Sequence, residues 1–138
     1  MWEKTMIAMI LGLLFFVLLG VGCSRKSDDP VAYKKISAAE AKAIMDSGEP
    51  YVLLDVRTKE EFQEGHIKGA VLIPYTEIKN RAVSELQDKD ALILVYCRSG
   101  RRSAIAAKAL LRMDYTRVYD FGSISNWSHG TVPGEAKP

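Results

Sequence analysis

The sequence predicts an α/β domain built on a parallel sheet with helices on both faces. Apolar runs of strand length alternate with helix-forming stretches along residues 35–135, the pattern of a layered α/β fold. Two of those runs, Tyr51-Val52-Leu53-Leu54-Asp55-Val56 and Ala91-Leu92-Ile93-Leu94-Val95-Tyr96, are apolar almost throughout, as strands covered on both faces are. Two Ser/Thr-x-x-Glu capping boxes mark helix starts between the runs.

Taken in order, Ser37-Ala38-Ala39-Glu40 opens a helix to about Asp46, stopped by Ser47-Gly48-Glu49-Pro50. The Tyr51–Val56 run is an interior strand. Thr58-Lys59-Glu60-Glu61 opens a short helix that Gly65 ends. Ala70-Val71-Leu72-Ile73 is a short strand closed by Pro74, and Ile78, Ala82, Val83 and Leu86 suit a helix over residues 76–87. The Ala91–Tyr96 strand, a loop and a helix from Ser103 to Met113 follow, and Arg117-Val118-Tyr119-Asp120-Phe121 is a last strand.

The amino-terminal part reads differently. Met6 to Gly22 is an uncharged apolar run of 17 residues behind Lys4, the shape of a secretory signal. As a helix it spans about 25 Å, short of the ~30 Å hydrocarbon core of a bilayer. Gly20-Val21-Gly22-Cys23-Ser24 resembles a bacterial lipoprotein signal, in which the cysteine is lipidated and becomes the first mature residue. Gly20 stands where that pattern prefers leucine, with Leu19 one position early. The expected organisation is a signal peptide over residues 1–22, a polar tether over 23–34 and a folded domain over 35–135. That places the domain outside the cytoplasm on a lipid anchor at Cys23. The alternatives are an uncleaved signal anchor and a secreted or periplasmic protein, and Arg25-Lys26 leaves an inverted anchor open.

The net charge of +2 is near balance, and no basic stripe interleaved with aromatics runs along the domain. Nucleic acid is not an expected partner. With two cysteines the chain forms at most one disulfide. If Cys23 carries lipid, Cys97 is a free thiol in an extracytoplasmic setting, where chemistry is the usual explanation.

Cys97 follows the buried Ala91–Tyr96 run and opens the loop Cys97-Arg98-Ser99-Gly100-Arg101-Arg102 ahead of the helix. A thiol between a strand's carboxyl end and a helix amino terminus sits among unpaired N–H groups, which with the helix dipole favour an anion on sulfur. Three arginines add positive charge, and a cysteine that only packs the core needs none of them. Gly100 supplies the positive φ a tight anion-binding loop requires. Asp55 and Arg57 suit an ion pair that fixes loops, His66 a turn or packing role, and Trp127 a lid or core aromatic near the rim.

These residues resemble the rhodanese-homology signature: Asp55-Val56-Arg57, Glu61-Phe62, Gly65-His66-Ile67, Gly69-Ala70 and Ile73-Pro74, then Tyr96-Cys97-Arg98-Ser99-Gly100-Arg101-Arg102-Ser103, and Phe121-Gly122-Ser123-Ile124 with Trp127. The resemblance covers about residues 35–133. Its motifs are specific in combination. Ser123 departs from it, standing where the family has the second glycine of a pair, which tightens or polarises a turn near the pocket. The resemblance implies a rhodanese-like five-stranded parallel sheet and a catalytic cysteine that carries a sulfane sulfur as a persulfide. Cys97 then takes sulfur from a small anionic donor such as thiosulfate and passes it to cyanide, a thiol or a protein cysteine. Peptide N–H groups of Arg98, Ser99, Gly100, Arg101, Arg102 and Ser103 cradle the persulfide, and Arg98 or Arg102 rather than Arg101 contacts the donor. No metal or organic cofactor is needed, and a domain this small on a short tether can act as a monomer.

Two other functions compete. A cysteine-loop phosphatase or arsenate reductase closes its loop on an arginine five residues beyond the cysteine's neighbour, where this chain has Ser103, with Arg102 one residue early. A non-catalytic sulfur-binding or sensing module has the same fold, and the intact cysteine loop is the feature that discriminates against it.

Overall fold

The computed structural model describes residues 33–135. The expected signal peptide and the Cys23 lipidation site lie outside these residues. Strand β1 (Lys34–Lys35) leads into helix α1 (Ala38–Asp46) and strand β2 (Tyr51–Asp55). Helix α2 (Lys59–Glu64), strand β3 (Val71–Leu72) and helix α3 (Ile78–Glu85) follow. Strand β4 (Leu92–Cys97), helix α4 (Arg101–Arg112) and strand β5 (Arg117–Ser123) complete the sheet, with a 3-10 turn at Ile124–Asn126. The sheet order is β1-β5-β4-β2-β3, and every pairing is parallel.

Both capping boxes form. The Ser37 and Thr58 hydroxyls accept from the Glu40 and Glu61 amides, and each glutamate carboxylate accepts from the cap residue's own N–H. Each box satisfies two donors that a helix start leaves without partners.

The two unbroken apolar runs become interior strands because each is covered on both faces. All six residues of β4 are buried. Ile93, Val95 and Cys97 pack with Leu54, Ile78, Ala82, Ala106, Ala107 and Leu110 on the side of α3 and α4. Leu92, Leu94 and Tyr96 pack with Ala41, Leu53, Ile67 and Phe121 on the side of α1. Burial of each such aliphatic side chain contributes about 1.5–3 kcal/mol, so β4 anchors the domain and carries Cys97 to a fixed place at the strand's carboxyl end.

Several boundaries differ from expectation, each for a physical reason. Lys34, assigned to the tether, lies in β1, and both residues of that strand are exposed. Its pairing with Tyr119 and Asp120 of β5 is an edge contact made by backbone, which an apolar pattern does not signal, and edge lysines discourage further strand addition. The last helix begins at Arg101, two residues before the expected Ser103, because Gly100 has φ 96° and serves as its cap. Strand β5 runs on to Ser123 by means of a bulge between Val95 and Tyr96 of its neighbour. Gly65 ends α2 in extended backbone, φ 170°, so its role is steric rather than conformational. A Cβ there meets the Thr131 hydroxyl oxygen at 3.1 Å. Of the apolar residues that suit a helix over residues 76–87, Ile78, Ala82 and Leu86 are buried and Val83 is 59% exposed.

Candidate active site at the end of strand β4

Cys97 is the last residue of β4, and three residues separate it from α4. Its side chain is fully buried, and the Gly100 N–H donates to its Sγ at 3.0 Å. Gly100 lies in the left-handed region, and its Cα faces Gly122 of β5, itself at φ 77°; a Cβ on Gly100 meets Gly122 Cα at 3.6 Å. That is ordinary contact, so the demand for glycine is conformational. The chain reverses in this tight turn, and Gly100, at the head of α4, presents its own N–H to the sulfur.

The first N–H donors of a helix have no partner within it. Helices α1 and α2 consume theirs in capping boxes, whereas α4 starts without a side-chain cap. Ser103 is buried and its hydroxyl donates to the Gly100 carbonyl at 3.1 Å. It thereby tightens the first turn from inside. A twelve-residue helix whose start has no side-chain cap favours negative charge there, because dipole and donors act together.

The three arginines take different positions. Arg102 makes a bidentate pair with Glu61 of α2, Nη1 to Oε2 at 2.7 Å and Nη2 to Oε1 at 2.8 Å. Those bonds pull the Glu61 carboxyl down to about 2 against the opposing effect of burial, with the Thr58 backbone adding to them. They also raise the Arg102 guanidinium, and the sulfur of Cys97 acts in the same direction. Arg102, one of the two arginines expected to contact the donor, is thus held by Glu61. Arg98 and Arg101 are exposed, with Arg101 5.9 Å from the Tyr75 ring centroid. Neither makes an ion pair among the described residues. Ser99, in the same loop, is exposed as well.

Asp55 and Arg57 form the loop-fixing ion pair under the site. Arg57 Nη2 donates to Asp55 Oδ2 at 2.7 Å and to the Gly65 carbonyl at 2.8 Å, and Nε donates to Oδ1 at 3.0 Å. Burial works against the Arg57 charge, but the bonds and charge of Asp55 outweigh it and raise the guanidinium. The pair ties the end of β2 to the end of α2. Tyr96 lies beneath Arg57, 5.6 Å from ring to guanidinium, and its oxygen accepts from Ile67 N–H at 3.1 Å. Burial first, then the charge of Asp55, raise the Tyr96 phenol, so it stays neutral. His66 stacks on Phe62 at 3.6 Å, and its Nδ1 lies 2.9 Å from the Phe62 carbonyl, a packing role. Trp127 packs against Phe121 at 6.1 Å, and its indole N–H donates to the Gly130 carbonyl.

Two contributors carry no signal in the local sequence. Glu61 reads as a capping residue, yet it also holds an arginine 41 positions away. Ser123 reads as a departure in a turn, yet its hydroxyl donates to the Arg98 carbonyl. A groove of about 460 Å³ lined by Phe62, His66, Val71, Val132 and neighbours includes no residue of the Cys97 loop.

The comparisons agree with this geometry. The chain is 37% identical over 81 residues to the thiosulfate sulfurtransferase PspE of Escherichia coli, an alignment covering 59% of this chain and 78% of that protein. It is 36% identical over 97 residues to the putative sulfur carrier protein YrkF of Bacillus subtilis, covering 70% of this chain and 51% of that longer protein. The solved structure of a rhodanese with anions from Escherichia coli superposes with a TM-score of 0.58 at 36% identity, covering 61% of this chain and 99% of that one. The family model for the rhodanese-like domain matches residues 37–129, and with its parallel sheet and cysteine loop in place the chain belongs to the rhodanese-like family.

Proposed function

We propose that this rhodanese-like sulfurtransferase carries sulfur as a persulfide on Cys97, taking it from a small anionic donor such as thiosulfate. The observation that carries the reading is the Gly100 N–H aimed at Cys97 Sγ at the head of a helix that has no side-chain cap. The Cys97 thiolate attacks the outer sulfur of the donor, forming a new S–S bond as the donor's own S–S bond breaks. Sulfite leaves with the electron pair. A thiol, cyanide or protein cysteine then attacks the outer sulfur and returns the Cys97 thiolate, a two-step exchange with ping-pong kinetics.

The loop residues divide the work. N–H groups of residues 98–103 stabilise negative charge on the terminal sulfur. Arg98 and Arg101, exposed and without ion-pair partners among the described residues, attract the doubly charged donor, while Arg102, held by Glu61, supplies a fixed positive charge. Ser103 stands where a phosphatase loop closes on arginine, and its hydroxyl is spent on Gly100, which favours a single sulfur atom over a tetrahedral oxyanion.

The reading extends to location. The apolar run at residues 6–22 and the following Cys23 support a lipid-anchored domain outside the cytoplasm.

Intact mass tests the chemistry. The protein incubated with thiosulfate gains one sulfur atom and loses it on addition of cyanide, and Cys97→Ser abolishes both the gain and the turnover with the fold intact. A wild type that gains nothing, or a Cys97→Ser protein that still does, overturns the reading.

A further inference from the structure

Ser123 ends β5 directly beside Cys97, its partner in the parallel register. Its hydroxyl uses both capacities. It donates to the Arg98 carbonyl inside the Cys97 loop, and it accepts from the Ser125 N–H at 3.1 Å as the cap of the 3-10 turn. The second bond holds the hydroxyl in place for the first. Among the described hydrogen bonds, this is the one that ties the Arg98 carbonyl to the sheet.

We propose that the Ser123 hydroxyl is a positioning residue for sulfur transfer: it latches the Arg98–Ser99 peptide so that the loop presents N–H groups, and not a carbonyl, to sulfur. The inference rests on the reading of Cys97 as a persulfide carrier. A planar trans peptide directs its N–H opposite to its C=O. Fixing the Arg98 carbonyl toward Ser123 therefore fixes the Ser99 N–H away from it. That peptide turns about Arg98 ψ and Ser99 φ, and both residues are exposed, so the surrounding protein does not pack it in place. A rotated peptide turns the carbonyl, a partial negative charge, toward the place where sulfur becomes anionic. Alanine or glycine at 123 provides no donor to prevent this, whereas threonine does. Ser123 has φ −94° and ψ 131°, an extended conformation that suits a β-branched residue.

The test compares the full-length wild type with Ser123→Ala, Ser123→Gly and Ser123→Thr. Turnover of thiosulfate with cyanide, the rate of Cys97 alkylation by iodoacetamide near neutral pH, and Tm are measured for each. Losing one positioning hydrogen bond lowers kcat roughly three- to tenfold in the alanine and glycine proteins, with KM little changed. Alkylation slows in the same two proteins, and Ser123→Thr restores both. Alanine and glycine proteins that match the wild type in both rates overturn the proposal, as does a threonine protein that falls with them. A purely structural role lowers Tm and leaves kcat alone. If the wild type itself transfers no sulfur, the persulfide reading fails, and the order of alkylation rates decides the latch by itself.

Discussion

Glu61 shows how one carboxylate serves two ends of the site. It accepts from Thr58 N–H to cap α2 and from both Arg102 Nη atoms to hold the head of α4. Its carboxyl is held at about 2, against an ordinary value of 4.5. A carboxyl depressed in the folded state stabilises the fold above its unfolded value, and that contribution disappears as pH falls through the window between 4.5 and about 2. The pair is partly solvated, with side-chain exposures of 16% and 22%, so its worth is about 1 kcal/mol or less. Glu61→Gln is expected to lower Tm at pH 7, and the gap to the wild type narrows on acidification. Thermal melts at a series of pH values check this; a gap that stays constant down to about pH 3 counts against the linkage.

Among the elements, α3 depends on a residue outside itself. At its carboxyl end the Tyr115 hydroxyl lies 2.7 Å from the Leu86 oxygen and 2.8 Å from the Ala82 oxygen, which also accepts from the Leu86 N–H. Tyr115 is buried and stands between α4 and β5, so it ties three elements by one group. Tyr115→Phe keeps the ring and strands the Leu86 carbonyl, at a cost of about 1–3 kcal/mol. Chemical denaturation measures it, and an unchanged midpoint shows that water replaces the hydroxyl. Persulfide formation on Cys97 is expected to survive, because α3 contributes no group to the loop.

For the molecule as a whole, the sheet gathers the chemistry at one edge. In a parallel sheet the carboxyl ends of β2, β4 and β5 share one side, which brings Asp55, Cys97 and Ser123 together from distant parts of the chain. Attachment to a membrane belongs to the same scale. Cys23→Ser is expected to move the protein from the membrane to the soluble fraction, read by fractionation and blotting. Membrane association that persists points to an uncleaved anchor.

What was legible in the sequence was whatever local pattern encodes. The capping boxes, the unbroken apolar strands, the Cys97 loop and the positive φ of Gly100 each rest on neighbours a few residues apart. The backbone pairing of Lys34-Lys35 with β5, the capture of Arg102 by Glu61 and the bond from Ser123 to Arg98 were not. Each joins residues whose separation along the chain exceeds any periodicity, through polar or backbone contacts that leave no hydrophobic signature. The residue types determined by themselves that a thiol would meet a helix amino terminus, because strand, glycine and helix are consecutive. Which arginine pairs with Glu61, and which hydroxyl reaches the Arg98 carbonyl, was decided only when the parallel sheet brought α2 and β5 beside the loop.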